Sequence, residues 1–349
     1  MAIAWIMQCL LTVTPPTLRG PVSVARWSAE WLELVRSGTI SSTATLRDGR
    51  ETRVGRRGRY LVVLRANRAL RPPAAPKLGW LPPHDEATCS FCSGPLRLEL
   101  RPMVAQALLP ETGRCWDVHF NISPMEPNGH YLLVPEIALH ANRRQQRLTT
   151  DDCIDLVLIG RACAGELCVN FNAPRAGASQ NHLHAHAWAI PEAYPIATAP
   201  VLSRVEQRID VPEELPPDLC FVDGREVEAC VLDWPASCVR LAGGTAEAVA
   251  LALDRICIEC PCHNVVLLGD QTFVFVRSPE GEVSPAVPDL KIGSIQLLGA
   301  MVVDTAEQFE AAMRDGSAIE RALRDTRYDV NETLGQLLAR VAASLAPRA

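Results

Sequence analysis

Three histidines alternate with small or apolar residues in the run His-Leu-His-Ala-His-Ala-Trp at 182–188, and this run constrains the fold more than any other feature of the 349-residue chain. An alternation with period two is typical of a β-strand, in which every second side chain lies on the same face. We therefore expect a strand that places the imidazoles of His182, His184 and His186 along one surface. A purely structural interpretation, with satisfied polar side chains on a half-exposed strand, explains such a run less well, because three histidines on one face are unlikely to arise by accident.

Two kinds of chemistry fit a surface with three imidazoles. They can ligate one zinc ion together, or one of them can attack a phosphorus atom while its neighbours position the phosphate, because imidazole is neutral and nucleophilic near pH 7. The preceding residues, Gly177-Ala178-Ser179-Gln180-Asn181, favour phosphorus chemistry. A turn of small residues exposes backbone N–H groups, a hydroxyl and amides, and such donors stabilise negative charge on phosphoryl oxygens.

Composition excludes several broad classes of protein. Apolar residues make up 48% of the chain and charged residues 21%, which is typical of a globular protein with a sizeable core. The formal net charge is -6, so the chain lacks the basic field of a nucleic-acid-binding protein. The apolar opening at residues 1–13 has no basic n-region and is too short to span a bilayer. We expect a cytoplasmic protein whose 13 cysteines are reduced, with no membrane or nucleic-acid partner and no organic cofactor.

The hydrophobic pattern predicts helices and strands in both halves of the chain. The helices are predicted at 27–37, 150–167, 246–257, 305–314 and 330–345, the strands at 60–64 and 295–303, extended chain at 115–135, and a hairpin of 264–268 with 272–277. Proline-rich stretches at 72–83 and 191–217 interrupt this pattern. Because both halves share a rough order of helix, strands and helix, a distant duplication is conceivable.

The triad and the segments around it resemble the histidine-triad superfamily, and within it the long nucleotidyltransferase branch. This branch includes galactose-1-phosphate uridylyltransferase, diadenosine tetraphosphate phosphorylase and the GDP-hexose phosphorylases. The likeness extends over about residues 86–345 and is carried by several segments. These are Gly177–Asn181 with the triad, NISPMEPNGHYLLVP at 121–135, Phe171-Asn172, and the second-half segments at 233–244, 264–277 and 293–309.

The resemblance implies an α+β fold, with an antiparallel sheet, flanking helices and two histidine-triad-like halves in one chain. We expect a lead of unknown role at 1–85, a catalytic half at 86–198, a connector at 199–232, and a degenerate half at 233–349 that completes the pocket. The protein would be a monomer or a homodimer.

The implied activity is nucleotidyl transfer or phosphorolysis at the α-phosphorus of a nucleoside-diphosphate sugar similar to GDP-hexose. The middle histidine of the triad is the family's nucleophile, so His184 would carry a covalent nucleotidyl group, which phosphate or a sugar phosphate then accepts. His186 stands where many long-branch members carry Gln and the shorter hydrolases carry His. A dinucleoside polyphosphate (Ap4A) phosphorylase or a hydrolase of the same superfamily is therefore an alternative. A zinc-stabilised protein that binds nucleotides without turnover is an alternative of another class.

The resemblance also assigns residues to substrate binding. Ser179 would hold the α-phosphate as part of the catalytic set, together with His184 and His186. The remaining candidates for contact with substrate are Asn121, Asn172, Arg175, Gly177, Ala178, Gln180 and Asn181. Arg277 and Lys291 could reach the site from the second half, although their local sequence does not decide this.

A metal site is indicated by Cys89-Ser90-Phe91-Cys92. A single C-x-x-C pair supplies only half of the four ligands that a structural zinc needs, and a redox pair is the other interpretation. The resemblance implies that His130 and His182 complete the set with Cys89 and Cys92, with His140 in reserve. The dense run Cys257, Cys260, Cys262 and His263 is better explained by buried thiols, because four ligands within seven residues are hard to arrange tetrahedrally.

Overall fold

The computed structural model describes residues 19–37, 52–65, 83–93, 97–98, 103–121, 126, 129–190, 192–204, 227–279, 283–328 and 334–345. The proline-rich stretch up to residue 82 and residues 205–226 of the predicted connector lie outside the described residues, so the expectations for them stay predictions.

Strands and helices alternate along most of the described chain. The strands are β1 Arg19–Gly20, β2 Thr52–Arg57, β3 Tyr60–Arg65, β4 Met103–Leu108, β5 Cys115–Phe120, β6 His130–Pro135, β7 Leu167–Asn172, β8 Ala185–Ala189, β9 Val201–Arg204, β10 Glu228–Leu232, β11 Cys238–Ala242, β12 His263–Leu268, β13 Gln271–Val276, β14 Val283–Ser284, β15 Val287–Lys291 and β16 Ala300–Val303. The α-helices are α1 Val24–Arg36, α2 Thr150–Ala162, α3 Ala246–Glu259, α4 Ser294–Leu297, α5 Ala306–Arg314, α6 Gly316–Arg324 and α7 Leu334–Leu345, and short 3-10 helices lie at His140–Asn142 and Pro195–Thr198.

Eleven of these strands form one sheet, whose order is β1-β4-β5-β6-β8-β7-β12-β13-β11-β10-β9. Apart from β1, the order is a palindrome about the β7–β12 pair, so that each strand of the first half has a counterpart in the second. All pairings in these two halves are antiparallel, and β1 alone pairs in parallel, with β4. The structure therefore confirms the α+β fold with its large antiparallel sheet, and the palindrome matches the expected pair of similar halves.

The helices α2 and α3 occupy equivalent places in the two halves and pack against each other on one face of the sheet. Each begins after a threonine N-cap, because the hydroxyls of Thr149 and Thr245 accept hydrogen bonds from backbone N–H groups three residues further on. Both helices bury apolar side chains in a core that also includes Phe171 and Val265 of the sheet. We call this side of the sheet the helix face.

The opposite face of the sheet is covered by parts of the chain that are far apart in sequence. Strand β16 pairs in parallel with β3, and β3 pairs with β2, which forms a small three-stranded sheet. Its apolar side chains share a core with Trp188, Trp234 and Phe273. The lead segment thus contributes β2 and β3 to the covering of this face. None of the described helices is long and apolar enough to cross a membrane.

Three predicted boundaries are corrected by the structure. The predicted strand at 295–303 is instead the short helix α4 followed by β16, separated by Gly299 with φ 93°. Helix α2 ends at Ala162 rather than at 167, because Ala164 and Gly165 adopt left-handed conformations with φ 48° and 80°. The predicted connector at 199–232 contains the strands β9 and β10 at its two ends. The division into domains otherwise stays a prediction.

Candidate active site

The three histidines of the triad lie at the beginning of β8, in the interior of the large sheet. His186 belongs to the strand, whereas His182 and His184 lie in the segment that leads into it. The rings follow one another on the face opposite to the helices: Phe91 contacts both His182 and His184, at centroid distances of 5.7 and 5.3 Å. The rings of His184 and His186 are 5.1 Å apart. The expectation that the imidazoles share one surface agrees with this geometry.

The orientation of the His184 ring is fixed by its own backbone. His184 Nδ1 lies 2.7 Å from the carbonyl oxygen of His182, so Nδ1 carries the proton and donates it to that oxygen. The lone pair of the neutral ring is then on Nε2, which is the nitrogen suited to nucleophilic attack. A single zinc ion bound by all three imidazoles is not what the described residues indicate, because the group of side chains close enough to hold a metal ion includes His182 but neither His184 nor His186.

Gln146 holds the backbone of His184 in place, a contact that the local sequence pattern does not indicate. Its side chain is fully buried. Its Oε1 accepts a 2.9 Å hydrogen bond from the backbone N–H of His184, and its Nε2 donates to the carbonyls of His184 and Asn172, both at 3.0 Å. The Gln146 amide therefore joins the end of β7 at Asn172 to the segment that contains His184. Asn181 in turn accepts a hydrogen bond from the backbone N–H of Gln146 at 3.2 Å.

The segment between β7 and β8 forms a compact turn that precedes the three histidines. The N–H groups of Ala176 and Ala178 donate to the carbonyl of Ala173, and Gly177 adopts φ 110°. Ser179 is exposed and Gln180 half-buried. In the second half, the equivalent connection between β12 and β13 consists only of Gly269 and Asp270, and β13 contains no histidine. The second half therefore lacks both the turn and a counterpart of the histidine run.

Polar side chains of the second half form hydrogen bonds to the residues at the start of this turn. Asn172 Oδ1 accepts hydrogen bonds from Asn264 Nδ2, at 2.6 Å, and from the hydroxyl of Ser294. Arg277 donates to Asn264 Oδ1 at 3.1 Å and to the carbonyls of Ile292 and Ala176 at 2.8 and 3.4 Å. Asn264, Arg277 and Ser294 are all buried. The second half thus contributes buried hydrogen bonds to the turn, and the expectation that it completes the pocket stays a prediction.

His186 forms part of a second polar cluster. Its Nδ1 lies 3.3 Å from His130 Nε2 and 3.4 Å from Asn121 Nδ2, and the same amide nitrogen is 3.1 Å from His130. His130 also contacts the ring of Trp188 at 5.6 Å. The two candidates Asn121 and His130 therefore orient the third histidine of the triad.

A candidate metal site lies next to His184 in the sequence and includes His182. His84, Cys89, Cys92 and His182 each offer one ligand atom, and these atoms all lie within 4.8 Å of one another. His182 Nδ1 is 3.5 and 3.4 Å from the sulfurs of Cys89 and Cys92, and His84 Nε2 is 3.7 Å from Cys92. Burial lowers the pKa of His182 to about 3, so its ring is neutral, as a metal ligand must be.

The donor set of two thiols and two imidazoles is one that structural zinc sites use. The structure corrects one expected ligand: His84 takes the place assigned to His130, which lies in the cluster around His186 instead. The spacing His84-x4-Cys89-x2-Cys92 in the sequence could have indicated this. The side chain of the reserve ligand His140 falls outside the described part of the structure. In the second cysteine cluster, Cys260 and Cys262 are buried and Cys257 is half-buried.

The remaining charged groups are one buried ion pair and the candidates Arg175 and Lys291. Arg65 and Glu126 form a buried ion pair with an N–O distance of 3.1 Å. The pKa of Glu126 lies above its usual value, because the effect of burial outweighs the opposite effect of the Arg65 charge. Arg175, a candidate for phosphate binding, is half-buried and adopts φ 61°, and its carbonyl accepts a contact from the Cys262 thiol at 3.5 Å. Lys291 lies in the outer strand β15.

Comparison with known proteins shows similarity in fold. No family model and no curated protein sequence matches the chain. Among solved structures, it is similar to yeast Ap4A phosphorylase Apa2 in complex with Ap4A, with a TM-score of 0.59, 16% identity, and coverage of 89% of this chain and 99% of that one. The complex of the same enzyme with AMP gives a TM-score of 0.57 at 16% identity, covering 88% and 98%. Its structure without a named ligand gives 0.56 at 17% identity, covering 87% and 98%. The likeness extends over nearly the whole length of both chains and defines the fold class.

Proposed function

We propose that this protein transfers a nucleotidyl group from a phosphoanhydride substrate through a covalent intermediate on His184. The observation that carries the proposal is the 2.7 Å hydrogen bond from His184 Nδ1 to the carbonyl of His182, which leaves the lone pair on Nε2. A buried imidazole with its lone pair on Nε2, next to the turn of small residues at 177–181, suits attack on phosphorus.

In the first step, the lone pair of Nε2 attacks the α-phosphorus. The N–P bond forms while the bond to the bridging oxygen breaks, and its electron pair leaves with the departing phosphate compound. In the second step, an oxygen of inorganic phosphate attacks the same phosphorus and the N–P bond breaks, which restores the neutral ring. Because phosphate leaving groups are stable anions, the protein's task is mainly to orient the groups and to neutralise charge.

The other site residues serve these two tasks. The turn at 177–181, including Ser179 and Gln180, faces the place where the α-phosphate would lie, and Arg175 adds a positive charge to the same segment. His186, oriented by His130 and Asn121, is the group beside the nucleophile that can donate a hydrogen bond to the leaving oxygen. A zinc ion bound by His84, Cys89, Cys92 and His182 would be structural, and would fix the carbonyl of His182 that orients the nucleophile.

Dinucleoside polyphosphates are the substrates that we place first. The chain shares its fold over 87–89% of its length with a phosphorylase whose solved structures contain Ap4A and AMP. Nucleoside-diphosphate sugars are the second candidate, supported by the sequence likeness of the second-half segments to the GDP-hexose phosphorylases. Both substrates present an α-phosphorus with a phosphate leaving group, so both fit the same two steps.

Product analysis with and without inorganic phosphate tests the proposal. The purified protein is incubated with Ap4A, and separately with GDP-hexoses, and nucleotides are separated by ion-exchange chromatography. We expect ADP and ATP from Ap4A only when phosphate is present, and loss of roughly 10³-fold or more of the rate in His184→Gln. His119→Gln, a matched change at a buried histidine of β5, should retain activity. Turnover without phosphate would indicate a hydrolase, and no turnover of either substrate would favour a nucleotide-binding protein.

A further inference from the structure

A cavity of about 310 Å³ lies on the helix face of the large sheet, across the sheet from the triad. Phe171 lines it and belongs to the helix-face core, whereas its neighbour Asn172 joins the polar network on the triad face. His263 lines it too and is two residues from Val265, which lies on the helix face. The cavity is therefore separate from the proposed site of nucleotidyl transfer.

His263 gives this cavity a specific hydrogen-bond requirement. Its Nδ1 lies 2.7 Å from the carbonyl oxygen of Cys260 and donates to it, so Nε2 carries the lone pair. The side chain is only 5% exposed, and Nε2 has no hydrogen-bond partner among the described residues. A buried acceptor without a partner is costly, which makes such a group a marker for a ligand that supplies a donor.

The other lining groups define the rest of the ligand. The carboxylate of Asp254, which accepts a 2.9 Å hydrogen bond from the hydroxyl of Thr150, is a second acceptor at the wall. Phe171, Leu148 and Ile258 supply apolar surface, and the ring of Phe171 is 5.9 Å from that of His263. The volume is at the lower end of the range for small-molecule sites, which suits a ligand of one or two fused rings.

We infer that this cavity is a second ligand site, for a small flat aromatic molecule that donates an N–H hydrogen bond to His263 Nε2. Such a ligand would contact Gln146, which lines the cavity and also binds the backbone of His184. Ala173 and Pro174, at the start of the turn next to the nucleophile, line it as well. The inference does not rest on the proposed function, because it concerns binding alone.

Calorimetric titration at pH 7.5 with benzimidazole and 1-methylbenzimidazole tests the inference. The two probes share the flat bicyclic body and differ in the N–H donor. We expect saturable binding of benzimidazole to the wild-type protein and at least about tenfold weaker binding of the methylated probe, because the donor is lost while the acceptor stays buried. The titrations are made on wild-type protein and repeated on His184→Gln, which should give the same affinities because the nucleophile lies on the other face.

A substitution on the cavity wall and a matched control locate the binding in the cavity. Ile258 is 49% exposed on the wall, and Ile258→Trp should weaken the binding of both probes at least tenfold. Leu202 is 68% exposed on β9, and the control Leu202→Trp should leave the affinity for both probes unchanged. His263→Leu should bind both probes equally, because leucine offers no acceptor at the place of Nε2. The inference is overturned if benzimidazole does not bind, if the two probes bind the wild type equally, if Ile258→Trp has no effect, or if His263→Leu still prefers benzimidazole.

Discussion

Replacement of Gln146 by leucine should damage both the stability of the fold and the reactivity of His184. Leucine has nearly the volume of glutamine, so the change removes hydrogen bonds rather than packing. It leaves three backbone groups in the interior without their side-chain partner: the N–H and C=O of His184 and the C=O of Asn172. An unsatisfied buried group costs about 1–3 kcal/mol, and carbonyls with a second lone pair lie at the low end, so we expect about 3–5 kcal/mol less free energy of unfolding.

Gln146→Leu should also slow catalysis, because Gln146 binds the backbone of His184 and so determines where its ring lies. A displacement of about 1 Å at a reacting group costs on the order of 10²-fold in rate, so Gln146→Leu should slow single-turnover nucleotidyl transfer by about that factor. Gln106→Leu is the matched control, because half-buried Gln106 makes one hydrogen bond, of 2.8 Å, to Asp117 in the neighbouring strand. It should cost about 2 kcal/mol, because the buried Asp117 carboxylate loses one donor, and it should leave the rate unchanged. Urea unfolding and rapid-quench kinetics measure both quantities. Equal stability losses in the two variants, or an unchanged rate in Gln146→Leu, would refute the role assigned to this side chain.

Three further predictions concern the metal group, pH and the turn. Cys89→Ser and His84→Ala should each abolish bound zinc in elemental analysis of the purified protein, whereas His130→Ala should keep the metal. Loss of zinc in His130→Ala but not in His84→Ala would instead support the ligand set expected from the sequence. Burial lowers the pKa of His263 to about 4, below its unfolded value near 6.5, so protonation of the unfolded chain should reduce the free energy of unfolding by roughly 3 kcal/mol between pH 6.5 and 4. Urea titrations should show a smaller loss in His263→Gln, and an equal loss would contradict this assignment. Gly177→Ala forces a side chain to adopt φ 110° and should cost about 1–3 kcal/mol in urea unfolding while slowing transfer; a neutral effect on both would show that the turn does not depend on this conformation.

The sequence predicted those parts of the site that depend on local pattern. The period-two run at 182–188 predicted a strand with its histidines on one face, because alternate side chains of a strand point the same way. The observed strand β8 begins only at Ala185, so His186 lies in the strand whereas His182 and His184 precede it, and the three rings still follow one another. The pattern at 264–277 likewise indicated the hairpin of β12 and β13, whose strands are separated by Gly269-Asp270. These features require no knowledge of distant contacts.

Contacts between distant segments could not be predicted in this way. Gln146 binds backbone groups of residues 26 and 38 positions away, and nothing in its local sequence distinguishes it from a surface glutamine. The predicted strand at 295–303 was wrong because a short apolar run fits a buried helix as well as a strand. There, Gln296 accepts a hydrogen bond from the N–H of Gly293 and starts a helical turn, and Gly299 lies so close to Pro195 that an added Cβ would be 2.9 Å from the proline ring.

The most direct test of the central claim is to locate the covalent intermediate. The protein is mixed with Ap4A in the absence of phosphate, quenched at alkaline pH to preserve an N–P bond, digested with trypsin and analysed by tandem mass spectrometry. The account predicts a nucleoside monophosphate on the peptide 176–204, with fragment ions that place it on His184, and its disappearance when phosphate is added before the quench. Turnover of substrate without any adduct on this peptide, or an adduct on another residue that persists in His184→Gln, would contradict it.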